Sequence, residues 1–166
     1  MRIDRLERRR RDDAGASAVE FALVSPLLII LVFGIIQFGI IFAQQLSLSN
    51  GARQGARVGV VNKTMCGDIV SQVQQSADTL GMDPTKISVQ VQIKVGTGNP
   101  STKCAYTTST STSSGSGATQ PCLGSNSSDR LIITAKFTSS LVIPLATSIN
   151  ALDLVGKGVY RCEYTN

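Results

Sequence analysis

Two kinds of residue in this 166-residue chain have the type and placing to do chemistry: an isolated acid, Glu20, and four cysteines, Cys66, Cys104, Cys122 and Cys162. Glu20 stands at the mouth of an otherwise charge-free apolar run, five residues after Gly15 in the stretch "GASAVEF". A charged side chain at mid-bilayer costs ~2.5–3.5 kcal/mol on insertion scales, so an acid kept there marks a function unless it snorkels to water at the interface. All four cysteines follow the apolar run and include no CxxC pair. An even number in one compartment, with no histidine to complete a zinc site, reads as two disulfides. Three connectivities are open. The pairing expected is Cys104–Cys122, closing a loop, with Cys66–Cys162, tying a helix to the last strand.

Nothing else in the chain adds up to catalysis. There is no histidine and no tryptophan, so a Ser–His–Asp triad cannot be built, and no S-x-x-K motif is present. Asp68, Asp78, Asp83, Asp129, Asp153 and Glu163 form no close pair with an acid/base pattern. Gly51, Gly55 and Gly59 lack the spacing of a phosphate loop. The expectation is a non-enzyme with no cofactor and no metal. The formal net charge of +5 is also unevenly spread. Arg2, Arg5, Arg8, Arg9, Arg10 and Arg11 crowd the leader, whereas the ten Lys/Arg after Ala43 are scattered. Cations neither clustered on a folded face nor interleaved with aromatics give no nucleic-acid signature.

The element that positions Glu20 is a long helix. Phe21 to Ile36 carries no charge and the apolar character continues to Ala43, enough to span a bilayer as a helix of roughly 20 residues. Cations before the run and none for many residues after it predict a cytoplasmic N-terminus. A cleaved secretory signal has an apolar region of only ~7–15 residues and an A-x-A-like site, and Ile41-Phe42-Ala43 is a poor one. Met1–Ala14 reads as too charged and short to fold alone. From Ala16 a helix can run to about Val61, some ~70 Å at 1.5 Å per residue, with Pro26 expected to bend it. In its second half Gly51, Gly55 and Gly59 recur every four residues beside Ala52 and Ala56. Such a stripe admits another backbone at close range, although each glycine also weakens the helix by nearly ~1 kcal/mol against alanine. Arg53 and Arg57, at i and i+4, read as a solvated face.

Beyond Lys63, Ile69, Val70, Val73, Ala77 and Leu80 fall at helical spacing, with Gly81 and Asp83-Pro84 as the stop. "KISVQVQIKV" alternates Ile87, Val89, Val91, Ile93 and Val95 with polar residues, as in a half-buried antiparallel strand. Residues 96–128 are Ser/Thr/Gly-rich and read as a surface loop. Asn62-Lys63-Thr64 and Asn126-Ser127-Ser128 fit the glycosylation acceptor pattern. A second strand begins near Leu131 and is limited by Pro144; residues 145–155 are ambiguous between short helix and turn, and Val159–Tyr164 suits a closing strand. The fold class is therefore α+β: a long N-terminal transmembrane helix continuing into a small external domain with a second helix and about three antiparallel strands.

The opening stretch resembles a type IV prepilin processing site. That pattern has a glycine before the scissile bond, here Gly15, and a glutamate at the fifth mature residue, here Glu20, counting from Ala16; Phe21 follows. The longer run "GASAVEFALVSPLLIILVFGIIQFG" with "QLSLSNGARQGARVGVV" resembles the TadE-like family of minor pilins or pseudopilins of tight-adherence pili. The matching features are Glu20-Phe21, Pro26, Phe33-Gly34 and Ala52-Arg53-Gln54-Gly55-Ala56-Arg57, over about Gly15 to Val61.

This resemblance implies a precursor in the bacterial cytoplasmic membrane, single-pass, N-terminus inside and C-terminal domain outside. Residues 1–15 would be a leader removed by a prepilin peptidase, 16–62 the long helix (membrane-spanning to about 43) and 63–166 the external domain. Implied partners are that peptidase, a major pilin, other minor pilins, the assembly machinery and membrane lipid. Cleavage would free an α-amine on Ala16, pKa roughly 7.7–8.0 when unperturbed, one turn from Glu20 and able to pair with it in the same or a neighbouring subunit. The first mature residue of type IV pilins is often a methylated phenylalanine; Ala16 departs from that. An uncleaved single-pass ectodomain with a binding role is the alternative.

Overall fold

The computed structural model describes residues 3–61, 63–79, 81–107, 112–140 and 151–163, with side chains from Gly15 onward except at 112–114. One helix, α1, runs Ile3–Gly59. At 57 residues it is about 85 Å long at the standard rise. Residues 3–14 thus continue α1 instead of standing apart, because arginine and glutamate are good helix formers added to an existing helix, which avoids a new nucleation step. The helix also passes through Pro26 without interruption. From Gly15 it is long and apolar enough to cross a membrane, and it is the one such candidate span among the described residues. Every large apolar side chain from Val19 to Ile36 is exposed, Leu23 at 76%, as is Phe38 at 71%, whereas Ile41 is half-buried against the core.

The burial pattern of α1 changes at Gln44, which is 2% exposed. From there Gln44, Leu48, Ala52, Ala56 and Val60 are buried at four-residue intervals, forming one inward stripe. The stripe lies on a five-stranded antiparallel sheet of order β3-β2-β1-β4-β5. Its strands are β1 (Ser88–Lys94), β2 (Ser101–Tyr106), β3 (Thr112–Ser114), β4 (Arg130–Ser140) and β5 (Ala151–Arg161). A second helix, α2 (Cys66–Ser76), packs beside α1 on the same face. Its first free amides are satisfied by the chain around Gly117: Cys66 N donates to Thr119 O at 2.8 Å and Gly67 N to Gly117 O at 3.0 Å. A short 3-10 turn, Pro84–Lys86, leads into β1. It is capped by Asp83, whose carboxylate accepts from Thr85 N at 3.0 Å and Thr85 Oγ1 at 2.6 Å.

The core lies between the helices and the inner sheet face: Leu48, Ile69 and Val73 meet Ile87, Val89, Val91, Leu131 and Ile133. The alternation in β1 is as the sequence pattern predicts, Val89, Val91 and Ile93 inward, with Val95 outside the strand and 58% exposed.

Three expectations need correction. The Ser/Thr-rich segment 96–128 contains two strands, so the sheet has five and not about three. Threonine suits a pleated surface, and β2 pairs with β1 from Val89↔Tyr106 to Ile93↔Ser101, with one irregularity between Val91 and Gln92. The final strand runs from Ala151, not Val159, and takes in residues 151–155 of the ambiguous stretch, since β4 offers eleven residues of pairing from Arg130↔Arg161 to Ser140↔Ala151. The cysteines pair Cys66–Cys104 and Cys122–Cys162, not Cys104–Cys122 and Cys66–Cys162 as expected. With Cys104 inside β2, its side chain turns into the core, where the start of α2 presents Cys66. Leu80, Asn62, Pro144 and Tyr164 lie outside the described residues.

Candidate functional site

The residues singled out by the sequence fall into two separate regions. Gly15, Ala16, Glu20 and Phe21 lie on the solitary part of α1, all exposed, with Phe21 at 69%. Continuous helix places Gly15 and Glu20 a little over one turn apart, at ~7.5 Å along the axis. No atom lies within 4 Å of a side chain built on Gly15, nor on Gly34 or Gly39, so the lower helix presents an unobstructed surface. Pro26 sits on it, exposed. Among the described residues no ion pair involves Glu20.

The second region is the upper half of α1. Gly51, Gly55 and Gly59 face α2 of the same chain. A Cβ on Gly51 would come within 2.8 Å of Val73 O and 2.9 Å of Ala77 Cβ, and one on Gly59 within 2.6 Å of Leu131 Cδ2 and 2.8 Å of Ile69 Cδ1. At Gly55 it would run into the Val73 side chain. The stripe is therefore filled from within the chain and is closed to a second copy. Sequence reasoning missed its counterpart. On the sheet side, Gly156 and Gly158 in β5 lie against the backbone of α1, and a Cβ on either would meet the carbonyl of Leu48 or Ala52. The signal was present: Gly-Lys-Gly in a strand puts both glycines on one face, which marks a close backbone approach. That signal shows only when the strand extends back to Ala151 and includes both glycines.

Polar contacts fix α1 along the sheet. Gln37 Nε2 donates to Ser140 O at 3.4 Å, Ser139 Oγ donates to Gln44 Oε1 at 2.6 Å, and Gln45 Nε2 donates to Val155 O at 2.9 Å. The end of β4 and the start of β5 therefore lie next to the lipid-length part of the helix. The start of β4 and the end of β5 lie beside Gly59, about 33 Å further along the axis at the standard rise.

Arg53 and Arg57 are exposed and line an open cleft of about 790 Å³ with Asn50, Gln54, Gln72, Ser76 and Tyr160. No group of three or more His, Cys, Asp or Glu among the described residues could hold a metal ion. All four cysteines are in disulfides.

Comparison with known families gives one result. Residues 15–57 match the family model described as TadE-like protein. The match begins at Gly15 and ends at Arg57, two residues short of the end of α1. No curated protein and no solved structure matches the chain.

Proposed function

From the TadE-like segment at residues 15–57, we propose that this chain is a minor pilin or pseudopilin that contributes to assembly of a Tad-type, type IV-related pilus used in surface adhesion. One observation carries the reading: the matched segment starts at the glycine of "GASAVEF" and covers the candidate span together with the part of α1 that the domain packs on. The chain works by assembly, not catalysis. It sits in the bacterial cytoplasmic membrane with its N-terminus inside, and a prepilin peptidase cuts between Gly15 and Ala16. The new α-amine on Ala16 and the Glu20 carboxylate then form a pair within or between subunits as the exposed lower helix packs against other pilins. Pro26 is accommodated where a neighbouring helix satisfies the carbonyl it leaves free.

Because α1 continues unbroken through Gly15 into the leader, an uncleaved anchored ectodomain with a binding role is the competing reading. Sequencing the N-terminus of the protein from piliated cells separates the two. A start at Ala16 is expected, and Gly15→Leu should leave the longer precursor; an active protein starting at Met1, or normal processing of Gly15→Leu, defeats the proposal. Glu20→Ala should be processed yet fail to support pili, and unaltered piliation would remove the assembly role of Glu20.

A further inference from the structure

The outer sheet face, turned away from α1 and α2, carries an unusual line of charge at one end. The register places Lys94 opposite Arg130 and Arg130 opposite Arg161. The alternation of buried and exposed residues puts all three side chains on the outer face. Three cations thus stand side by side on β1, β4 and β5, in a straight row about 10 Å long given the usual strand spacing of about 4.8 Å. Like charges directly opposite each other destabilise a sheet. None of the three forms an ion pair with a described residue; the ion pair between described residues is Lys86–Asp83, elsewhere. The nearest acid in sequence, Asp129, is 2% exposed and occupied with backbone, accepting from Gly96 N at 3.3 Å and Asn126 N at 2.9 Å. Glu163 lies two residues beyond Arg161 and is exposed. Further down the same face Lys136 and Lys157 add positive charge, and Asp153 is the single acid there, its carboxylate accepting from Thr138 Oγ1 at 2.7 Å.

The row is also held rigidly. Cys162, next to Arg161, is disulfide-bonded to Cys122, and its amide donates to Asp129 O at 3.0 Å. The cations border an open cleft of about 490 Å³ completed by Gly96, Thr97 and Ser128. This end of the sheet lies beside Gly59, some 33 Å along α1 from where Gln37 meets Ser140, so the membrane that holds the helix is out of reach.

We propose that this row is a binding site for a linear acidic polysaccharide bearing carboxylates along its length. The lining decides the partner class. The cleft has cations, two hydroxyls and backbone, with no aromatic or apolar side chain. A folded protein partner would call for a hydrophobic and aromatic interface core, and single-stranded nucleic acid for stacking platforms. A hydrated sugar chain needs neither: its carboxylates meet the three cations and its hydroxyls meet Thr97 and Ser128. The site does not depend on processing at Gly15.

The test measures binding of the full chain, in nonionic detergent, to alginate, with neutral dextran, polyaspartate, duplex DNA and anionic phospholipid vesicles as comparisons. Alginate should bind and dextran should not. With three contacts the logarithm of affinity should fall against the logarithm of salt with a slope of about −2 to −3, a loss of about 15–60-fold between 50 and 200 mM. The triple variant Lys94→Gln, Arg130→Gln, Arg161→Gln should lose at least about tenfold in affinity while melting at the same or a higher temperature, since it relieves like-charge opposition. Arg53→Gln with Arg57→Gln, on the other face, should bind normally. Should the triple variant fail to fold, Arg130→Gln alone, the middle of the row, is read for the same loss. Undiminished alginate binding by the folded variants overturns the site. Equal or tighter binding of polyaspartate, DNA or vesicles overturns the polysaccharide as its partner.

Discussion

The contact between β5 and α1 makes a sharp prediction at Gly158. A Cβ added there would collide with the Ala52 carbonyl oxygen and approach Ala52 C to 2.7 Å and Arg53 Cα to 2.9 Å. All three are backbone atoms of a helix held on its other side by α2, so no side-chain rotation relieves the overlap; helix and strand must separate. Overpacking of this kind costs ~1–3 kcal/mol, and a backbone obstacle favours the upper part of that range. Gly158 is not among the glycines with positive φ, so alanine is conformationally acceptable and recovers ~0.4–1 kcal/mol by restricting the unfolded chain. The net loss for Gly158→Ala is therefore about 1.5–2.5 kcal/mol, or roughly 6–15 °C in melting temperature for a domain of this size. The assay is thermal unfolding of the full chain in detergent, followed by the near-ultraviolet circular dichroism of its tyrosines. Gly39→Ala is the matched control: nothing lies within 4 Å of its added methyl, and the domain should melt unchanged. A Gly158→Ala melt within about 2 °C of the parent would refute the close helix–strand approach.

Three further outcomes are expected. Replacing Cys122 and Cys162 with serine, which opens a link between residues 40 apart in sequence, should cost about 2–5 kcal/mol, read as a lowered denaturant midpoint. Gln44→Ala should cost about 1–3 kcal/mol in the same measurement by leaving the Ser139 hydroxyl buried without this acceptor, whereas Gln45→Ala, at an exposed hydrogen bond, should cost less. The Thr85 hydroxyl and amide, with a smaller contribution from Lys86, hold the Asp83 carboxyl below its ordinary 3.8. Its stabilising effect is therefore fully present above that ordinary value and fades only as pH falls through the depressed native one, so an NMR titration of Asp83 should show no change between neutral and mildly acidic pH.

How much of this was legible in the sequence depended on whether the signal was local. The upper end of the long helix, α2 and β1 each carry their own periodicity and were legible to within a few residues, whereas the start of α1 at Ile3 was not, since the charged residues before Ala16 show no apolar period. The family resemblance was legible for the same reason, being confined to one continuous helical stretch. β2 and β3 were not, because a run of serine and threonine forms strands only when a neighbour supplies the ladder, and that neighbour is a pairing decision made by the whole sheet. The disulfides failed with it: Cys104–Cys122 looked reasonable only while residues 96–128 were a loop, and became impossible once Cys104 was a core residue of β2 facing Cys66. The basic row of Lys94, Arg130 and Arg161 was invisible for a related reason. Its members are 36 and 31 residues apart in sequence and meet only through register.

The division of α1 at Gln44 also constrains how the helix can serve an assembly. Above Gln44 its two small-residue faces are consumed, Gly51, Gly55 and Gly59 by α2 and Leu48, Ala52 and Ala56 by the sheet. The strip that remains exposed is polar apart from Leu46: Asn50, Arg53, Gln54 and Arg57. The helix-to-helix assembly proposed above would then use the stretch from Gly15 to Ala43, where Gly34 and Gly39 have open space around them and every large apolar side chain from Val19 to Ile36 is exposed. In the proposed assembly, domain stability and subunit packing thus reside on different halves of one helix. A large residue at Gly34 should impair assembly and leave the domain melt untouched, whereas Gly55→Leu should unfold the domain before it affects any contact between subunits.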